Sequence, residues 1–165
     1  MFVLGIDPGL STTGYAVVAD DGPRPRAIAA GALRTSTGDP VARRLLELHR
    51  DLSAIIAEYG PVEMALEQVF VNRNLQTATS VGRASGVILL TAAEAGIRAF
   101  EYTPSAVKMA VCGVGDAAKA QVQAVVAMRF GLATAPEPAD AADALAIALC
   151  HVQSSGLRRA AEAAR

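Results

Sequence analysis

Apolar and polar positions in the first 35 residues follow the pattern of short strands separated by turns. The predicted strands run from Phe2 to Asp7, from Tyr15 to Ala19 and from Ala27 to Thr35. Turn residues lie between the segments, Pro8-Gly9 among them, so consecutive strands joined as hairpins are expected.

The pattern changes to a helical period between Val41 and Ile56. One face is apolar, with Val41, Leu45, Leu48, Leu52 and Ile55. The charged residues, including Arg43 and Arg44, fall largely on other positions. This segment is therefore predicted to be an amphipathic surface helix that Gly60-Pro61 ends.

The remainder of the chain alternates between predicted strands and helices. In order these are a strand from Val62 to Glu67, a helix from about Leu75 to Ala95, a strand from Arg98 to Tyr102, a helix from Thr103-Pro104 towards Val111, a helix from Ala117 to Phe130 with Asp116 as its N-cap, and a helix from about Ala139 to Gln153. Three hairpin strands followed by this alternation predict an α/β fold with a mixed five-stranded sheet flanked by helices.

The length and composition predict one domain over residues 1–156, with a tail at 157–165 that is expected to fray. The chain has 165 residues, 52% of them hydrophobic, which suffices for one core. No apolar run approaches the roughly 18 residues of a membrane span, so we expect a soluble cytoplasmic protein. Cys112 and Cys150 lack the spacing of a zinc site or a disulfide framework.

The overall charge argues mildly against nucleic-acid binding. Fifteen Lys and Arg against sixteen Asp and Glu give a net charge of −1. Phosphates, however, respond to a local basic face and not to the total charge. The candidates for such a face are Arg73, Arg83, Lys108 and Lys119.

Asp7 and Glu67 each stand at the end of a predicted strand. Asp7 precedes Pro8-Gly9, and without any function its carboxylate could accept hydrogen bonds from the turn amides. Glu67 follows Met64-Ala65-Leu66, and its bland explanation is an ordinary surface carboxylate at a strand end. Neither residue alone establishes a function.

Asp140 and Asp143 are three residues apart on a predicted helix, so both carboxylates lie on one face. Acidic residues are also favoured in a helix's first turn without any function. The helix between and beyond them is rich in alanine, slender enough to lie close against a sheet and to bring the aspartates beside the strand ends.

Four converging carboxylates would be too costly to keep ionised in a cleft without cations. All-oxygen ligands favour Mg²⁺ or Mn²⁺, and two ions per site are the economical hypothesis for phosphodiester hydrolysis. The sequence does not assign each carboxylate to one ion.

Several motifs resemble the RuvC family of Holliday-junction resolvases. They occur in that family's order and spacing and cover nearly the whole chain, and they are Gly5-Ile6-Asp7-Pro8-Gly9-Leu10-Ser11-Thr12-Thr13-Gly14-Tyr15, Leu66-Glu67-Gln68-Val69-Phe70, Phe100-Glu101-Tyr102, Val107-Lys108, Gly113-Val114-Gly115 and the segment from Asp140 to Ala148. The resemblance implies a ribonuclease-H-like fold and a homodimer that cuts four-way DNA junctions symmetrically in recombination and repair, with a branch-migration helicase as partner.

The same resemblance implies roles for individual residues. The metal-binding catalytic carboxylates are those of Asp7, Glu67, Asp140 and Asp143. Lys108 and Lys119, the only two lysines in the chain, resemble the basic positions near the family's active site. Phe70 resembles the aromatic residue that stacks on junction bases, although packing onto the core is an equal alternative, and Arg73 is a further candidate for DNA contact.

The predicted helix from Leu75 to Ala95 has small residues at four-residue spacing, Ala78, Gly82 and Gly86. Packing within the chain is the ordinary explanation for such a strip. The family resemblance favours a dimer contact, because symmetric cutting needs two sites related by a two-fold axis.

Three other functions remain open from the residues alone. Asp7-Pro8-Gly9 with Ser11 to Thr13 is also similar to the phosphate loop of actin-like ATPases and sugar kinases, but those proteins need a second domain that 165 residues do not provide. A module that binds junctions without cutting them is the second alternative. The closest rival is a nuclease that acts on another branched DNA or on RNA.

Overall fold

The computed structural model describes residues 1–22, 24–68 and 75–163, with side chains as far as residue 156. The strands in these ranges are β1 (Phe2–Asp7), β2 (Thr12–Ala19), β3 (Arg26–Arg34), β4 (Glu63–Glu67) and β5 (Arg98–Tyr102). The helices described are α1 (Val41–Tyr59), α2 (Leu75–Glu94), α3 (Pro104–Cys112), α4 (Lys119–Phe130) and α5 (Ala139–Ala163). No helix in these ranges is both long and apolar enough to cross a membrane.

The strands form one mixed sheet in the order β3-β2-β1-β4-β5, which confirms the predicted architecture. β1 pairs antiparallel with β2 and parallel with β4, and β4 pairs parallel with β5. The central strand is therefore β1. Its carboxyl end lies at the same edge of the sheet as those of β4 and β5.

Helices cover both faces of the sheet, and the sheet separates the hydrophobic core into two clusters. On one face, α3, α4 and α5 pack over a cluster that includes Val3, Ala65 and Ile147. On the other, α1 and α2 pack over a cluster that includes Leu4, Leu66 and Ile88. The period-2 alternation of β1 and β4 sends successive side chains to opposite clusters, as expected for strands buried on both faces.

Some predicted boundaries were wrong. β2 begins at Thr12 and not at Tyr15, because Gly14 pairs with Asp7 of β1 and the two threonines before it pair with β3. α4 begins at Lys119 after an extended Ala118, and this N-cap has no side-chain hydrogen bond, so Asp116 is not the cap. α5 continues beyond Gln153 to Ala163, and the predicted fraying of residues 157–165 stays a prediction.

Arg44 departs from the predicted amphipathic pattern of α1. The buried residues of this helix include Arg44 together with Leu48, Leu52 and Ile55, and Arg44 is only 8% exposed. The side chain can be buried because its guanidinium donates hydrogen bonds to the hydroxyls of Thr35 and Ser11, at 3.0 and 2.7 Å.

Candidate active site

The sheet register places Asp7 and Glu67 side by side. Ile6 pairs with Leu66 in the parallel ladder, and the two acidic residues come next on their strands. Alternation turns both side chains to the face that α5 covers, since Ile6 and Leu66 belong to the opposite cluster. Two carboxylates thus meet at the carboxyl ends of adjacent parallel strands.

α5 lies so close to the sheet that two glycines are required beneath it. A Cβ on Gly14 would collide with the backbone of Asp140, and a Cβ on Gly5 would collide with the carbonyl oxygen of Ala144. Gly14 is also the strand partner of Asp7. The first turn of α5 therefore sits directly beside Asp7, as the alanine-rich sequence of this helix predicted.

These elements enclose a cavity of about 270 Å³ at the carboxyl end of the sheet. Its lining residues are Asp7, Glu67, Pro104, Val107, Lys108, Lys119, Val122, Asp143 and Ala146. Asp140 lies just outside this lining, although its carboxylate interacts electrostatically with Asp7. The structure thus brings three of the predicted carboxylates and both lysines together around one space.

A larger groove of about 490 Å³ follows the edge strand β3, but it offers little for catalysis. It is lined mainly by small apolar residues and by the segment from Leu132 to Glu137. Glu137 is the only ionisable residue among the described residues that line it. The smaller cavity, which carries the carboxylates and both lysines, is therefore the candidate active site.

Asp7 is the most perturbed carboxyl group of the cavity. Burial and the neighbouring carboxylates of Asp143, Glu67 and Asp140 raise its pKa to about 7, although Lys119 acts in the opposite direction. Burial and Asp143 likewise raise the pKa of Glu67. Repulsion between buried like charges destabilises the fold. Clusters of this kind are concentrated at binding and catalytic sites.

Lys119 is the first residue of α4, where the helix dipole disfavours a positive charge. Its Nζ donates a hydrogen bond of 2.6 Å to Oδ2 of Asp143. That hydrogen bond, together with the negative charges of Asp143, Asp7 and Asp140, raises the pKa of Lys119. The ammonium is therefore held over the carboxylate cluster against the local preference of its helix.

Lys108 reaches the same cavity from α3, whose start was predicted correctly. Thr103 caps this helix by accepting a hydrogen bond of 3.1 Å from the amide of Ala106. The positive charge of Lys108 opposes the rise in the pKa of Glu67. Of the other basic candidates, Arg83 is exposed on α2. Phe70 and Arg73 lie outside the described residues.

The chemistry of the cavity fits a hard divalent cation. Asp7, Glu67 and Asp143 supply only oxygen atoms, which Mg²⁺ and Mn²⁺ prefer, and a cation would relieve the repulsion that raises the pKa of Asp7. Within residues 1–22, 24–68 and 75–156, no three Asp, Glu, His or Cys side chains are already arranged around a single point as metal ligands. The Asp143 carboxylate instead binds Lys119.

A buried hydrogen-bonded group behind the cavity had not been predicted. His151 of α5 is fully buried, and its Nε2 and Nδ1 lie 2.8 Å from Oε2 of Glu63 and from the hydroxyl of Tyr102, respectively. It connects α5 to β4 and β5, the strands beside the site. A histidine on the apolar face of the last helix was the only sequence signal for it.

Comparisons with known proteins agree on one family. Residues 3–151 match the family described as crossover junction endodeoxyribonuclease RuvC. The curated relative with that description from Chloroflexus aggregans is 50% identical over 155 residues, 94% of each chain. The Thermus thermophilus RuvC structure superposes with a TM-score of 0.89 at 37% identity, covering 95% of this chain and 96% of the other.

A second Thermus thermophilus RuvC structure contains a Holliday junction substrate. It matches with a TM-score of 0.89 at 38% identity and covers 94% of each chain. These matches confirm the ribonuclease-H-like fold that the sequence motifs implied.

Proposed function

The chain belongs to the family of the crossover junction endodeoxyribonuclease RuvC, and we propose that its catalytic carboxylates are those of Asp7, Glu67, Asp140 and Asp143. It is a structure-selective DNA endonuclease that resolves Holliday junctions in recombination and repair. The observation that supports the residue assignment is the convergence of Asp7, Glu67 and Asp143, with both lysines, around one cavity.

Enzymes of this family depend on a divalent metal, and we assign two Mg²⁺ or Mn²⁺ ions to the four carboxylates. Bound ions would supply Lewis-acid stabilisation of the phosphate and a nucleophilic water at neutral pH. Support comes from the all-oxygen donor set and from the raised pKa values of Asp7 and Glu67. Asp143 would exchange its hydrogen bond with Lys119 for a place as a ligand.

The lysines act on the DNA phosphate in this proposal. Released from Asp143, the Lys119 ammonium lies close enough to the cavity to offset the charge that develops on the scissile phosphate. Lys108 approaches the cavity from α3 and holds a phosphate oxygen. Outside the described residues, Phe70 stacks on junction bases and Arg73 contacts DNA, as the family resemblance implies.

Asp7→Asn tests the assignment with little change in shape. A fixed four-way junction should be cut in Mg²⁺ by the unaltered protein, whereas the variant should bind the junction and leave it uncut. Asp21→Asn is the matched control, since Asp21 is exposed at the turn after β2 and pairs only with Arg26 among the described residues. Cleavage by the Asp7 variant at the unaltered rate would refute the assignment.

We propose that the working unit is a homodimer with α2 at its interface. Gly82 and Gly86 are exposed, a Cβ at either position would meet nothing within 4 Å, and Leu90 on the same helix is 56% exposed. Another backbone could therefore approach this surface closely. Gly86→Arg should shift sedimentation at micromolar concentration from dimer to monomer, whereas a dimer that persists would place the interface elsewhere.

The remaining assignments rest on family resemblance. We propose that the dimer works in the cytoplasm with a branch-migration helicase. Retention of the protein on an immobilised helicase–junction complex, compared with the junction alone, would measure that association. Equal retention on both would contradict it.

A further inference from the structure

A second cavity, of about 440 Å³, lies beside the loop that follows Asp7. One wall is formed by Gly9 to Thr12, and the other by the first two turns of α2; its lining residues are Gly9, Leu10, Ser11, Thr12, Arg44, Gln76, Thr77, Ser80 and Val81. The cavity is on the α1 and α2 face of the sheet, whereas the carboxylate site is on the α5 face. It is therefore separate from the proposed metal-binding cavity, although the same loop borders both.

Arg44 is the distinctive residue of this cavity. Although the residue is only 8% exposed, its guanidinium donates hydrogen bonds to two neutral hydroxyls, from Nε to Thr35 and from Nη2 to Ser11. Among the described residues no carboxylate lies within ion-pair distance of it. Nη1 donates no hydrogen bond to any described residue and is not fully buried, so its hydrogens are available to a ligand or to solvent.

The lining suits an anion with several oxygen atoms. Burial of a guanidinium without an anionic partner costs free energy. The planar guanidinium can donate two parallel hydrogen bonds to the oxygen atoms of one phosphate. Among the described residues that line the cavity there is no Asp or Glu, while Ser11, Thr12 and Ser80 offer hydroxyl groups. The first turns of α2 add the positive end of a helix dipole to the opposite wall.

We propose that this cavity binds a backbone phosphate of the junction DNA, with Arg44 as its main ligand. The inference rests on the proposed function, since it needs a DNA substrate in the neighbouring site. Because residues 8–12 lead directly from Asp7 to the cavity, a phosphate held by Arg44 would fix the position of a strand relative to the carboxylates. Arg44 is thus a DNA-binding residue that the family motifs quoted above do not contain.

Arg44→Gln tests the proposal through salt dependence. Loss of one phosphate contact should reduce the slope of log affinity against log salt by about 0.9 for each bound protomer. Affinity for a fluorescent four-way junction in EDTA, which prevents cleavage, should fall about tenfold at low salt. Arg43→Gln is the matched control, because the Arg43 side chain is 75% exposed on the same helix, and it should leave both values nearly unchanged.

A purely structural role for Arg44 predicts a different result. The guanidinium would then only hold the loop around Ser11 and Thr35, so Arg44→Gln would lower the melting temperature or the cleavage rate at saturating junction while the salt slope stayed the same. That outcome overturns the proposal. If the unaltered protein fails to prefer a junction over duplex DNA, the proposed function fails first.

Ser80→Glu keeps the test decisive if Arg44→Gln does not fold. It places a negative charge on the cavity wall and leaves the hydrogen bonds of Arg44 intact, and it should weaken junction binding about tenfold. Ala54→Glu makes the same charge change at an exposed position of α1 and should have little effect. Equal binding by the two variants would overturn the proposal.

Discussion

Gly14→Ala should displace α5, and with it Asp140 and Asp143, without removing any ionisable group from the chain. The new methyl carbon would lie 2.6 Å from the carbonyl carbon of Asp140 and closer still to its oxygen. Ordinary contact begins near 3.4 Å, so the carbonyl carbon alone requires the first turn of α5 to move back by about 0.8 Å, and the closer oxygen requires a larger shift. Misplacement of about 1 Å can cost about 10²-fold in rate. We expect a loss of about that size at saturating junction.

The same collision should also reduce stability. Overpacking of this kind costs about 1–3 kcal/mol, which corresponds to a fall of about 2–12 °C in melting temperature for a chain of this size. Rates must therefore be measured well below the melting temperature of the variant, in a single-turnover assay with Mg²⁺.

Gly31→Ala is the matched control for Gly14→Ala. A Cβ there would lie 2.9 Å from the ring of Tyr15 on β2, so the crowding is between two strands and does not involve α5. It should lower stability without a comparable loss of rate. If Gly14→Ala is folded and cuts at the unaltered rate, the spacing between β2 and α5 does not set the position of the carboxylates, and the reasoning fails.

Three further predictions concern the charged groups. Because burial and like charges raise the pKa of Asp7 from 3.8 to about 7, the free energy of unfolding in EDTA should fall as pH rises from about 4 to about 7. Denaturant titrations should show a weaker pH dependence for Asp7→Asn, and an equal pH dependence in the two proteins would contradict this prediction. Lys119 lowers the pKa of Asp7, so Lys119→Gln should slow cleavage and move the acid limb of the pH–rate profile to higher pH. An unchanged pH–rate profile would count against this effect of Lys119 on Asp7. His151→Leu should cost about 2–5 kcal/mol in urea unfolding, because it leaves two half-buried partners, Glu63 and Tyr102, without their hydrogen bonds to the ring. Tyr102→Phe should cost about 1 kcal/mol, because it removes one hydrogen bond, and equal losses would refute that difference.

Much of the site could be predicted because strand ends are visible in a sequence. Apolar runs that end in Asp7 and Glu67 specify both the strands and the edge at which their carboxylates emerge. The alanine-rich helix carrying Asp143 could be expected to pack closely. The pattern did not predict that Gly14 and Gly5 would lie beneath the helix. This close contact is possible because neither residue has a side chain that would collide with the backbone of α5.

Arg44 shows why other features could not be predicted. Helical periodicity treats every arginine as polar, and the partners that allow this one to be buried are 9 and 33 residues away along the chain. Similarly, α4 begins after the extended backbone of Ala118. The sequence instead favoured Asp116 as the N-cap, because aspartate is a common capping residue. Long-range partners and local backbone conformation decided these positions, and neither has a periodic signal.

The net charge of −1 counted mildly against a DNA enzyme, and the structure explains why that sum misleads. The carboxylates that contribute most of the local negative charge face one cavity, where burial raises the pKa of Asp7 and metal ions would neutralise the group. Lys108 and Lys119 stand at that same cavity, and Arg44 lines the next one. Cationic side chains are therefore concentrated at the two cavities beside the loop after β1, and a phosphate chain crossing this loop would meet cations on both sides.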